Sequence, residues 1–131
     1  MNDLEAMLDQ GGYDYTLDED GNFVVRLVFD DERCQRVEIQ TVDVGKTGLQ
    51  AWKISSVACD DVNTLKEGLL RSCLKNSGKH SLGAWELHGN VLCFCLKTLA
   101  DYRETNLRHF INYAGAVADE FERKYIKLDI N

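Results

Sequence analysis

No proline occurs anywhere in these 131 residues, no Cys-x-x-Cys pair is present, and charge interrupts every apolar run. The absence of proline is consistent with helices and strands that run uninterrupted. None of the apolar runs approaches the ~20 residues that a membrane-spanning helix needs, so no membrane partner is expected. The five cysteines, at 34, 59, 73, 93 and 95, are an odd number. Lacking the paired spacing of metal and redox sites, they point to reduced thiols packed as small hydrophobes, with no metal and no cofactor expected. Cys93 and Cys95 share one face of a strand, where neighbours at i and i+2 are badly placed to bridge within one chain. Basic residues are also in deficit: 15 Lys and Arg against 22 Asp and Glu leave a formal charge of −7. That field repels a phosphate backbone, and the basic clusters (Arg33 with Arg36, and Lys75 with Lys79 and His80) are not interleaved with aromatics. Nucleic acid is therefore not an expected partner. The opening residues Met1-Asn2-Asp3-Leu4-Glu5 lack the basic-then-apolar layout of a signal peptide, and a cytoplasmic location is the expectation.

What is present is a set of clear periodicities. The stretch from Gly83 to Tyr125 reads as a strand, a Gly89-Asn90 turn, a second strand over Val91 to Leu96, and a long helix. Leu107, Phe110, Ile111, Ala114, Val117, Ala118, Phe121 and Tyr125 recur every three or four residues and form one apolar stripe. Such a stripe needs a flat apolar partner, and an antiparallel sheet with one greasy face supplies it. Upstream, Asn2 with Glu5 caps a short helix bearing Leu4, Met7 and Leu8, which ends at Gly11-Gly12. Strands follow over 13–17, 23–29, 34–44 and 49–59, the last built around Trp52 and Ile54. The apolar parity switches after Thr41, which marks a bulge or the end of that strand. A helix over Leu65, Leu69, Leu70, Cys73 and Leu74 has Asp61, Asn63 or Thr64 as its cap, with Thr64 and Glu67 forming a capping box; Asp101 with Glu104 gives the long helix the same signature. The order α-β-β-β-(β)-α-β-β-α without repeat or linker predicts a single α+β domain over 1–131, a twisted antiparallel sheet flanked by helices.

Motifs with chemistry attached fail on their details. Asp18-x-Asp20-x-Asn22 opens like a calcium loop, but Phe23 stands where the loop needs glycine and Phe29 where it needs glutamate. Gly45-Lys46-Thr47 has the ending of a phosphate-binding loop without its first glycine, Gln40 standing there. His80, His88 and His109 have no carboxylate or cysteine at triad or ligand spacing, so no catalytic residue is assigned. The charges of the last helix, including Asp119, Glu120, Glu122, Arg123 and Lys124, read as a solvated face.

The Leu69-Leu70 and Leu74-Lys75-Asn76 segments, the Gly83-Ala84-Trp85-Glu86-Leu87 strand, the Val91 to Leu96 strand and Ala114 to Glu120 together give a pattern that resembles the YbjN-type, type III secretion chaperone-like family. The resemblance implies a twisted antiparallel sheet flanked by helices, frequent homodimers and no enzymatic activity. Its secretion chaperones hold partly unfolded client segments on apolar surface. The leading expectation is accordingly a non-enzymatic, chaperone-like protein-binding domain. Its partner or client would rest on apolar side chains left on the sheet or helix surface, for which Val24, Val28, Trp52, Cys93 and Cys95 are the candidates. The alternative is a small-molecule or enzymatic site assembled from distant residues such as Cys59, His88 and His109.

Overall fold

A computed structural model describes residues 3–29 and 32–126 of the chain. In order, the elements are α1 (Asp3–Gln10), β1 (Tyr15–Leu17), β2 (Phe23–Val28), β3 (Cys34–Asp43), β4 (Gln50–Cys59), α2 (Leu69–Lys75), β5 (Ala84–His88), β6 (Val91–Leu99) and α3 (Glu104–Tyr125), with 3-10 turns at Val62–Thr64 and Ser77–Lys79. The strands form one antiparallel sheet in the order β1-β2-β3-β4-β6-β5, an α+β arrangement. No described helix is long and apolar enough to cross a membrane.

Register and the two-residue period sort the side chains into faces. Phe23 lies opposite Ile39 and Val25 opposite Val37; Ile39 meets Ile54, Ile54 meets Leu96, and Trp85 meets Phe94. All three helices cover this one face. Leu4, Met7 and Leu8 of α1 and Leu107, Ile111 and Ala114 of α3 close a cluster over β2, β3 and β4. Ala118 and Phe121 join a second cluster with Trp85 and Phe94, and Leu69, Leu70 and Cys73 of α2 lean on it. Trp52 belongs to the first cluster; it is 1% exposed and sets its ring edge-on to Tyr102 at 5.4 Å. The expectation that Trp52 is a surface contact is thereby corrected, because β4 turns its even-numbered residues toward the helices.

Several local expectations shift for physical reasons. The first strand begins at Tyr15, and the Asn2 cap lies outside the described residues. The β3–β4 ladder keeps one register from Val37 to Asp43, so the parity switch after Thr41 marks the end of the covered sheet; the bulge falls in β4 instead, between Val57 and Cys59. Thr64 does not cap an α-helix. It sits in the 3-10 turn capped by Asp61, whose carboxylate accepts the Asn63 N–H, and its hydroxyl donates to the Asp61 carbonyl. α2 starts at Leu69 after Gly68, whose φ of 83° only glycine adopts freely. Asp101 likewise stands outside α3, where its carboxylate accepts from the Arg103 backbone N–H and guanidinium and from Asn106 Nδ2. These hydrogen bonds, Arg103 foremost, hold the Asp101 carboxyl well below the usual range.

Asp119, expected on the solvated side of α3, is 4% exposed. Arg33 Nε donates to Asp119 Oδ1 at 3.0 Å, and Arg123 Nε, one turn on, donates to the other oxygen. A carboxylate taken out of water is tolerable only with such partners, and the pair ties α3 to the segment entering β3.

Candidate functional site

With every described helix on one face, the opposite face of the sheet carries the remaining strand residues. Register places Val24, Arg26 and Val28 of β2 on it, opposite Glu38, Arg36 and Cys34 of β3. Farther across lie Lys53, Ser55 and Val57 of β4, Cys93, Cys95 and Lys97 of β6, and Glu86 with His88 of β5. Val28 and Val57 are exposed, and Val24 is half-buried. Cys93 and Cys95 also sit here, yet they are 5% and 2% exposed. They are on the open face but are not themselves contact surface.

Long neighbours cover the two thiols. Glu86 starts opposite Cys93 and reaches across β6 to Lys53 of β4, with Oε1 3.2 Å from Lys53 Nζ and 3.0 Å from His88 Nε2, and Oε2 3.3 Å from Lys97 Nζ. Lys53 and Lys97 are directly opposed across the ladder, a like-charge arrangement that costs free energy until a carboxylate bridges it. Glu86 is that bridge. His88 Nε2 also stands 3.2 Å from Lys53 Nζ, and a single ring nitrogen serves one of the two contacts at a time. Donation to Glu86 fits the direction of its titration. Burial alone raises the Glu86 pKa, but the hydrogen bonds from His88 and Lys53 and the charge of Lys53 outweigh it and lower the group to about 2.

This network predicts a pH dependence. With the folded pKa near 2 and the ordinary value at 4.5, the stabilisation is complete above about pH 4.5 and is lost as pH falls toward 2. From 4.5 to about 2, a full conversion at about 1.4 kcal/mol per tenfold change in proton affinity is about 3.5 kcal/mol, and solvent screening of this partly exposed carboxylate reduces it to on the order of 2 kcal/mol. Unfolding free energies from urea titrations between pH 5 and pH 2 are expected to converge for wild type and Glu86→Gln at the acid end and to separate near pH 5.

The same cluster brings together groups that ligate metals: one ligand atom each from Glu86, His88 and Cys95 lies within 4.8 Å of the others. Both Glu86 oxygens face an ammonium, however, and Lys53 Nζ stands 3.2 Å from both Glu86 Oε1 and His88 Nε2, so a cation bound to those two atoms would have to displace that lysine. Burial pushes the Cys95 thiol up to about 12, away from the thiolate that binds metal or attacks carbon. Cys93 is raised by the same cause.

Two clefts lie away from this network. One of about 580 Å³ beside the bulged end of β4 is lined by Cys59, Asp60, Asp61 and Glu122. The other, about 250 Å³ between α2 and the end of α3, is lined by Cys73, His80, Trp85 and Phe121. His80 is half-buried there, edge-on to Phe94 at 4.8 Å, with Nδ1 3.5 Å from the Tyr113 hydroxyl. The grouping of Cys59, His88 and His109 does not form. His88 projects from the open face, His109 is exposed on α3 over the other face, and the Cys59 thiol donates to the Asp61 carbonyl. The spacings Glu86-x-His88 and Cys93-x-Cys95 announce shared strand faces. That Lys53, 33 residues earlier, completes the cluster follows only from the β4–β6 pairing.

The chain matches no family model, no curated protein and no solved structure.

Proposed function

We propose that this chain is a non-enzymatic, chaperone-like protein-binding domain that holds a partner segment on the open face of its sheet. The observation that carries the reading is the one-sided placement of the described helices, which leaves Val24, Val28 and Val57 of the open face without a described element over them. Aliphatic side chains between long polar ones suit an adaptable contact surface, with apolar area for affinity and charges to set orientation. The direction of the Cys95 shift and the absence of a serine or cysteine hydrogen-bonded to a histidine among the described residues both favour binding over catalysis. The resemblance to secretion chaperone-like proteins supports the same reading. It adds a homodimer, readable as mass by sedimentation equilibrium.

The test is whether the chain suppresses aggregation of a chemically unfolded test protein on dilution. Wild type is expected to suppress light scattering at near-stoichiometric ratios. Val24→Asp with Val28→Asp is expected to lose that action while keeping its far-ultraviolet circular dichroism, since neither residue belongs to the two buried clusters. Equal suppression by both proteins would place the contact elsewhere.

A further inference from the structure

The β2–β3 half of the open face carries a charge arrangement that lacks the bridge found around Glu86. Arg26 and Arg36 are directly opposite in the ladder, a like-charge pair on one face. Arg26 has a loose counter-ion in Asp14, at 3.7 Å with both side chains more than half exposed, and Arg26 Nη2 also donates to Cys34 Sγ at 3.0 Å. Arg36 makes no ion pair among the described residues. Glu38, the nearest acid on the same face of β3, is turned toward Asp18: burial and the Asp18 carboxyl raise its pKa, while hydrogen bonds from the Asn22 and Asp20 backbone hold Asp18 low. A cleft of about 300 Å³ opens at this point, lined by Thr16, Val24, Arg26, Arg36 and the aspartates 14 and 18.

Val24 and Val28 stand two residues to either side of Arg26 on the same face, so β2 presents aliphatic, cation and aliphatic in a row with a spacing of roughly 7 Å. An extended segment has the same side-chain period. We infer that the Arg26–Arg36 pair receives a carboxylate side chain of the docked protein segment, which lies extended along β2 with an aliphatic residue two positions before and two after the acid. This rests on the open-face reading proposed above and names the chemistry of its occupant. A carboxylate lowers the repulsion between the guanidiniums and accepts their donors in a fork. The overall charge of −7 repels a phosphate polymer, charged at every unit, far more than a segment bearing a single carboxylate. A second copy laid face to face with its two-fold axis at this pair would set the arginines against their own image.

The experiment is a random twelve-residue peptide display library panned on the whole chain, followed by titration of a synthetic selected peptide. The expected pattern is aliphatic-x-(Asp or Glu)-x-aliphatic. The selected peptide is expected to bind wild type about tenfold tighter than it binds Arg26→Gln with Arg36→Gln, a difference of about 1.4 kcal/mol. Amidation of its acid is expected to cause an equal loss, and Arg36→Lys to retain part of the affinity. The control Lys46→Gln with Lys66→Gln, the same charge change at exposed sites off the sheet face, is expected to bind like wild type. Selected peptides without an acid, or with a basic residue in its place, whose binding is lost in Val28→Asp would overturn this inference and leave the open-face reading standing. No enrichment, or binding indifferent to both Val28→Asp and the arginine changes, would overturn both.

Discussion

Replacing Trp52 by alanine is expected to remove about 3–5 kcal/mol of unfolding free energy, the range for truncating a large buried aromatic. The ring is the largest fully buried side chain, 1% exposed, under α1 and α3 and against Tyr102. Its indole N–H has no partner among the described residues, so a change to phenylalanine keeps most of the packing and removes an unpaired donor, and is expected to cost far less than alanine. For a domain whose whole stability is on the order of 5–15 kcal/mol, the alanine change is a large fraction. Val28→Ala, on the opposite face, is expected to stay within about 0.5 kcal/mol. Urea midpoints of the three variants check both the location of Trp52 and the distinction between covered and open faces. Similar losses for Trp52→Ala and Val28→Ala would contradict that distinction.

The second large effect is expected at Gly83, where α2 and its 3-10 extension give way to β5. Its φ of 77° lies in the region that costs other residues about 1–2 kcal/mol. A Cβ there would also drive into the backbone carbonyl oxygen of Cys95, which has no rotamer by which to retreat. Overpacking of this kind adds about 1–3 kcal/mol. Gly83→Ala is therefore expected to lose roughly 2–5 kcal/mol, and because the clash pushes β5 off β6 it should also disturb the Glu86 network. The checks are the urea midpoint of the variant and its acid dependence beside that of wild type. Gly89→Ala is a useful contrast: its φ is also positive, at 64°, but a Cβ there meets nothing within 4 Å, so only the conformational part of the loss is expected.

Much of the architecture was legible in the residues. The stripe from Leu107 to Phe121 defined α3, the alternation in Phe23-Val24-Val25-Arg26-Leu27 defined β2, and Gly89-Asn90 defined the β5–β6 hairpin. The helix starts were less so. Thr64 with Glu67 and Asp101 with Glu104 have capping-box spacing, yet each was taken up by a competing local hydrogen bond, the Thr64 hydroxyl to a backbone carbonyl and the Asp101 carboxylate to a guanidinium and a side-chain amide. Asp119 was misplaced because a helical wheel shows which side is polar but not that Arg33, 86 residues earlier, meets it there.

The sequence by itself determined the class, the order of most elements and which residues of a strand share a face, because those follow from periods of 2 and 3.6 along the chain. Only the tertiary structure decided which of the two faces each strand turns inward. Odd positions face the helices in β2, β3 and β5, even ones in β6 and in β4 up to its bulge, and that choice is made by cross-strand register and by where the helices settle. For that reason Trp52 went to the core and Val28 to the surface. For the same reason Cys93 and Cys95, apolar in pattern, lie on the open face beneath an ion network whose members come from three strands.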